Sequence, residues 1–325
     1  MNALRRYLDP FMLALLLTIA LAFVLPVQGF GAEILGILAT AAVVILFFLH
    51  GLRLPRQALF AAVQHWRLHL LILSITYLLM PAIGLGFATL FPSLLPLSLW
   101  TGVLFLCALP STVQSAIAFT LIGRGNVAGA VASAAASNLL GVVLTPLLIG
   151  LLAHNTGGAG PSFAGIWKIV LQLLLPFAIG HLCRPYLADW AARNKQFMAY
   201  TDRGTIVLAV YSAFSAAVIG GIWQQIPLER MVVVLALCAG LLAFVLTLTA
   251  WLARALGYSR EDEVTIVFCG SHKSLASGVP MARVLFAGPE VGFVILPVMI
   301  FHQLQLMASV WLARRYAQSD QEKQN

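Results

Sequence analysis

Charge is what this 325-residue chain has least of. Asp, Glu, Lys and Arg together make up 9% of it and apolar residues 61%, whereas a soluble domain carries about 25% charged residues. A soluble fold of this length has too little interior to hide that much apolar surface, so the composition points to a chain for which lipid is the solvent. Only four cysteines occur, Cys107, Cys183, Cys238 and Cys269, all in or beside apolar runs and without metal-like spacing. They read as buried thiols, and no disulfide framework is implied. Low-complexity tracts and long polar tails are lacking, and no Ala-x-Ala-like cleavage site follows Met1-Asn2-Ala3-Leu4-Arg5-Arg6. The expectation is a single transmembrane domain over residues 1–325 whose first apolar run is retained.

The net charge of +8 does not indicate a nucleic-acid partner, because the basic residues sit in short hydrophilic connections, as the positive-inside rule requires. Between those connections lie ten candidate spans, at 8–25, 34–50, 68–91, 97–122, 127–153, 163–183, 205–223, 231–253, 264–286 and 291–313. Each approaches the roughly 20 residues a membrane crossing needs. Counted with the N-terminus inside, fifteen of the nineteen Lys and Arg residues fall on the inner side. Lys168, Arg230 and Arg283 fall outside, and Lys273 falls within a span. A multi-pass inner-membrane protein with both termini cytoplasmic is therefore predicted.

The Gly-rich stretch Asn155-Thr-Gly-Gly-Ala-Gly-Pro161 divides the spans five and five. An odd number per half turns the second half upside down, which is the inverted-repeat plan of many secondary transporters. The repeats are expected at about 1–154 and 162–318. Matching irregularities support this plan. The fourth span is interrupted at Leu109-Pro110-Ser111-Thr112-Val113-Gln114-Ser115, and the ninth at Cys269-Gly270-Ser271-His272-Lys273-Ser274. The closing span of each half carries its own proline, Pro146 or Pro297. One proline kink among small residues is ordinary helix packing. Two at equivalent places predict a midplane binding site, because broken backbone exposes groups that lipid cannot satisfy.

At these residues the chain resembles the bile acid:sodium symporter family, and most closely its sodium-bile-acid-symporter-like branch. The matching stretches are Leu8-Asp9-Pro10-Phe11, His65-Trp66-Arg67-Leu68-His69-Leu70, Leu109-Pro110 through Thr120 and Arg124-Gly125-Asn126-Val127. Ile266 through Ala276 and Phe301-His302-Gln303-Leu304-Gln305 complete the set. The resemblance implies an all-α integral membrane fold of ten helices in two inverted five-helix repeats. Spans one, two, six and seven would form a panel, and the rest a core in which broken helices four and nine cross. Substrate would bind between panel and core. It also implies sodium sites, which carry over poorly. Gln114-Ser115-Ala116 stands where sodium-coupled relatives have Ser-Asn. Ala130 and Ala134 replace hydroxyls early in the fifth span, with Ser133, Ser137 and Asn138 nearby. Val267 or Phe268 stands near a family Glu, and His272-Lys273 replaces Gln-Asn. A sodium ion near Gln114, Ser115 and Ser271 is the remaining possibility. No other cofactor is expected.

Lys273 is the sharpest residue, since a lysine at membrane depth costs about 2.5–3.5 kcal/mol on insertion scales and usually marks function. It either plugs the crossover against Ser111, Thr112 and Ser115, stands in for a cation, or loads and releases a proton. His272, and His302 with Gln303, would extend a relay. Ser274 and Thr76 complete the candidate binding residues. The expected function is secondary active transport of a small, amphipathic organic anion, favoured by Lys273 and by the positive end of a half-helix. The partners are that anion and the lipid bilayer. Proton-coupled or sodium-independent transport, or a membrane regulator of cation flux, are the alternatives. All eleven acidic residues lie at span ends or in loops, which weighs against a proton antiporter built on a midplane carboxylate. An intramembrane enzyme using Cys269 with His272, or Ser271 with Lys273, is not expected, because neither pair has a third orienting group.

Overall fold

The computed structural model describes residues 10–53, 65–155, 163–221, 224, 227–286 and 290–321. Among them all regular structure is helical. Residues 1–9 and the 156–162 connection, on which parts of the topology expectation rest, lie outside the described residues. Among the described residues six helices are long and apolar enough to cross a membrane: Phe30–Arg53, Trp66–Leu90, Val127–Leu152, Lys195–Ile219, Leu228–Ala255 and Val291–Gln318. Shorter helices occupy the other predicted spans. Pro10–Val24 covers the first and Phe163–Leu182 the sixth. Two pairs of half-helices, Leu97–Ala108 with Gln114–Ile122 and Arg260–Ser271 with Leu275–Leu285, cover the fourth and ninth.

Two details depart from expectation. The basic segment after the sixth span, read as a loop, is helical at Arg184–Arg193 and again from Lys195. Pro185 sits in the first turn of the first helix, where its missing N–H has no partner to lose, and Asn194 separates the two. In the ninth span, Cys269 and Gly270 remain helical and the break is confined to 272–274.

The chain forms two compact units. One comprises Met1–Leu54, Pro161–Leu228 and Gly278–Leu296. Within it, helices Phe30–Arg53 and Phe163–Leu182 touch backbone to backbone. A Cβ at Gly51 would collide with the Phe177 carbonyl, and one at Gly180 with the Phe48 carbonyl, so only glycine permits this approach. Arg53 clamps Asp202 through two bonds, Nη1 to Oδ2 at 2.7 Å and Nη2 to Oδ1 at 3.1 Å. His50 lies 3.6 Å from the same carboxylate. The other unit comprises Pro55–Gly160, Glu229–Ser277 and Pro297–Asn325. It contains both breaks.

Candidate functional site

In the second unit the two interrupted helices meet at their breaks, where Ser274 N–H donates to the Pro110 carbonyl at 2.9 Å. Pro110 ends the Leu97–Ala108 helix because it lacks an N–H and disfavours helical geometry in the residue before it. The next half-helix starts at Gln114. Five carbonyls around the break, those of residues 107–111, each have a donor. Cys107 and Leu109 accept from Lys273 Nζ at 2.8 Å each. Ala108 accepts from Thr145 Oγ1 at 2.8 Å, Pro110 from Ser274 N–H, and Ser111 from Asn138 Nδ2 at 2.8 Å. The Ser111 N–H donates to Ser137 Oγ at 3.0 Å. Close approach of Val127–Asn155 makes this possible. A Cβ on Gly141 would lie 2.9 Å from Pro110 Cβ and 2.7 Å from the Tyr77 hydroxyl oxygen.

The second break is closed in the same way. Gln305 brackets Lys273: its Oε1 accepts from the Lys273 N–H at 2.9 Å and its Nε2 donates to the Lys273 carbonyl at 3.1 Å. The same Nε2 lies 2.9 Å from His302 Nδ1. Ser274 Oγ accepts from the Ser277 N–H at 3.1 Å, capping the helix Leu275–Leu285, and Ser277 Oγ donates to Asn138 Oδ1 at 2.8 Å. His272 is fully buried. Its Nε2 pairs with Ser309 Oγ at 2.7 Å, and its Nδ1 lies 3.3 Å from Thr112 Oγ1 and 3.4 Å from Ser115 Oγ.

Lys273, also fully buried, makes its third bond to the Thr76 carbonyl at 3.0 Å. That carbonyl is free for a local reason. Residues Ile75–Leu79 form a π-turn in which the Met80 N–H bonds to the Ile75 carbonyl. Continuing the turn would require an N–H from residue 81, which is Pro81 and has none. One proline thus widens the helix Trp66–Leu90 and turns an acceptor toward the lysine.

The candidate residues divide accordingly. The crossing brings together Thr112, Ser115, Ser137, Asn138, His272, Lys273, Ser274 and His302, with Ser111 contributing its main chain. The buried Ser111 Oγ has no hydrogen-bond partner among the described residues. Thr76 contributes its carbonyl, while its hydroxyl bonds back to Ile72 at 2.8 Å. Ser271 Oγ turns into its own helix, donating to the Val267 carbonyl at 2.6 Å. Ser133 pairs with His69 Nδ1 at 2.7 Å. Gln114 is exposed, and Gln303 is half-buried outside the network. Sequence reasoning missed Gln305, Ser309, Ser277 and Thr145. His302, Gln305 and Ser309 are spaced i, i+3, i+7, one face of a helix, and that spacing was the available signal.

Sodium wants several hard oxygen ligands free to coordinate it, as other hard cations do. The residues at the crossing do not fit that demand. The carbonyls carry Lys273 and Ser274, Ser271 is spent within its helix, and Ser115 Oγ pairs with Thr112 Oγ1 at 2.7 Å. A carboxylate does occur at the start of the ninth-span helix. Glu263 Oε1 accepts from Arg254 Nη2 at 2.8 Å, Arg260 Nη1 at 3.2 Å and the Tyr316 hydroxyl at 2.9 Å. Burial pushes this carboxyl up, but the bonds from Arg254 and Tyr316 and the charges of Arg254 and Arg260 more than reverse it. They hold it below the usual carboxylate range.

The sequence profile of the SBF-like CPA transporter family matches residues 9–318. The chain is 48% identical over 319 residues to the Escherichia coli protein named "Putative symporter YfeH", covering 98% of this chain and 96% of that one. It is 31% identical over 271 residues to "Sodium/bile acid cotransporter 7-B" of Xenopus laevis, covering 82% and 78%. To "Sodium/bile acid cotransporter 7" of Mus musculus it is 30% identical over 273 residues, covering 82% and 79%.

Proposed function

The chain belongs to the SBF-like CPA transporter family, and on that premise we propose that it is a secondary active transporter moving a small organic anion by alternating access. The crossed breaks are its functional centre. The observation that carries this reading is the fully buried Lys273, bonded to three main-chain carbonyls where two interrupted helices meet. The inverted repeat belongs to the same proposal. Its support is the occurrence of a break in the fourth span of each half, together with the pairing of helix Pro10–Val24 with Lys195–Ile219 and of Phe30–Arg53 with Phe163–Leu182.

An anion suits the exposed side of the first break. Helix Gln114–Ile122 begins without a side-chain cap, at Val113 and Gln114, both exposed. Its first amides point their donors at the positive end of the helix dipole. A carboxylate or sulfonate with an apolar body matches that end and the apolar spans around it.

Transport depends weakly on sodium in this reading. An ammonium at about 4 Å repels a sodium ion by about 4 kcal/mol at an effective dielectric of about 20, roughly a thousandfold in affinity. The protein sits in the inner membrane with both termini in the cytoplasm. A thermal-shift screen of carboxylates and sulfonates selects a ligand, whose uptake is then measured in proteoliposomes under a sodium gradient, a proton gradient or neither. Uptake that needs no sodium supports the reading, and absence of uptake for every stabilising anion overturns it. Reporter fusions at residue 325 give cytoplasmic signals in the predicted orientation, and a periplasmic signal contradicts it.

A further inference from the structure

Lys273 has three N–H donors and meets three acceptors, the carbonyls of Thr76, Cys107 and Leu109 at 3.0, 2.8 and 2.8 Å. The match is complete only for the ammonium form. No carboxylate shares in it. Among the described residues the ion pairs gather on Asp202 and Glu263. The surroundings still favour positive charge. Helix Leu97–Ala108 ends beside the ammonium, and helix Arg260–Ser271 ends just before residue 273. Both present the partially negative carbonyl end of a helix dipole. The π-turn supplies the remaining oxygen.

We infer that these three carbonyls form a binding site for a monovalent, ammonium-like cation, and that Lys273 fills it permanently with a cation tethered to the chain. The site is built from main chain, so it persists when the side chain is shortened. Lys273→Ala removes three carbons and the nitrogen, which together are n-propylammonium, and the emptied site takes that ion from solution. A tethered cation cannot be released to either side of the membrane. This bearing on coupling rests on the transport reading above, whereas the site itself is tested without transport.

The test is melting of purified wild-type, Lys273→Ala and Lys273→Met proteins in detergent, in n-propylammonium chloride, sodium chloride or n-propanol. Lys273→Met fills the space but leaves the carbonyls without donors. It melts below wild type by on the order of 5–10 °C and responds to none of the additives. Lys273→Ala also melts low and recovers at least half of its loss in n-propylammonium chloride alone. Equal melting of Lys273→Met and wild type would overturn the inference. So would a Lys273→Ala protein indifferent to n-propylammonium, or one that recovers equally in propanol or sodium chloride. If Lys273→Ala yields no folded protein, Lys273→Met decides. Propylammonium rescue without any anion uptake would sink the transport reading and leave this one standing.

Discussion

Two buried charges flank the helix Arg260–Ser271, and they are satisfied in opposite ways. Glu263, at its start, is neutralised by ionic partners, Arg254 and Arg260, with a hydroxyl from Tyr316. Lys273, just past its end, has no ionic partner among the described residues and is held by main-chain dipoles. The difference follows from depth. Near the helix start, basic side chains reach the carboxylate from water, and Arg254 remains 63% exposed. At the crossing no acidic side chain occurs among the described residues, and broken backbone supplies the oxygens that meet the ammonium. The carboxylate end thus has the make-up of a structural clasp, and the lysine end is the one to which we assign the place of an ion.

Lys273→Met breaks the comparison most directly. With the charge gone and three carbonyls unpaired, uptake falls at least tenfold, about 1.4 kcal/mol, as read in proteoliposomes at matched protein content. Gln305→Leu comes next. It strands the Lys273 N–H and carbonyl in a buried place, which costs about 2–3 kcal/mol of stability, visible as a lower melting temperature in detergent. Glu263→Gln costs less, about 1 kcal/mol, since its main partner is largely solvated, and it leaves uptake within about twofold of wild type if the clasp is only structural.

The same carboxylate sharpens the comparison through pH. Its folded value is depressed, so its contribution to stability is present above the unfolded carboxylate range, near about 4. That contribution is lost as pH falls through the lower folded value. Wild type therefore loses stability below about pH 4 more steeply than Glu263→Gln does. Parallel acid melting curves for the two proteins would remove Glu263 from the account.

How much was legible in the sequence differed between these places. The breaks at 109–113 and 272–274 were visible because Pro110 and the polar His272-Lys273 pair interrupt apolar runs. The partners were less visible. Thr76 is a candidate by residue type, yet its hydroxyl bonds back to Ile72 and its carbonyl makes the contact, through a π-turn traceable to Pro81. Gln303 adjoins His302 in sequence, but helical geometry places Gln305, three residues along, on the same face as His302. Backbone acceptors carry no sequence letter, so a site built from carbonyls shows in the sequence only through the proline that frees them.

The sodium dependence of uptake tests the central claim, that a tethered ammonium occupies the cation position at the crossing. Proteoliposomes of wild type and Lys273→Asn are loaded identically, and initial uptake of the selected anion is compared in sodium and choline buffers. Wild type is expected to show a sodium-to-choline ratio below about 2, because the ammonium lowers sodium affinity at the crossing by roughly a thousandfold. A steep sodium requirement in wild type, unchanged by Lys273→Asn, would contradict it.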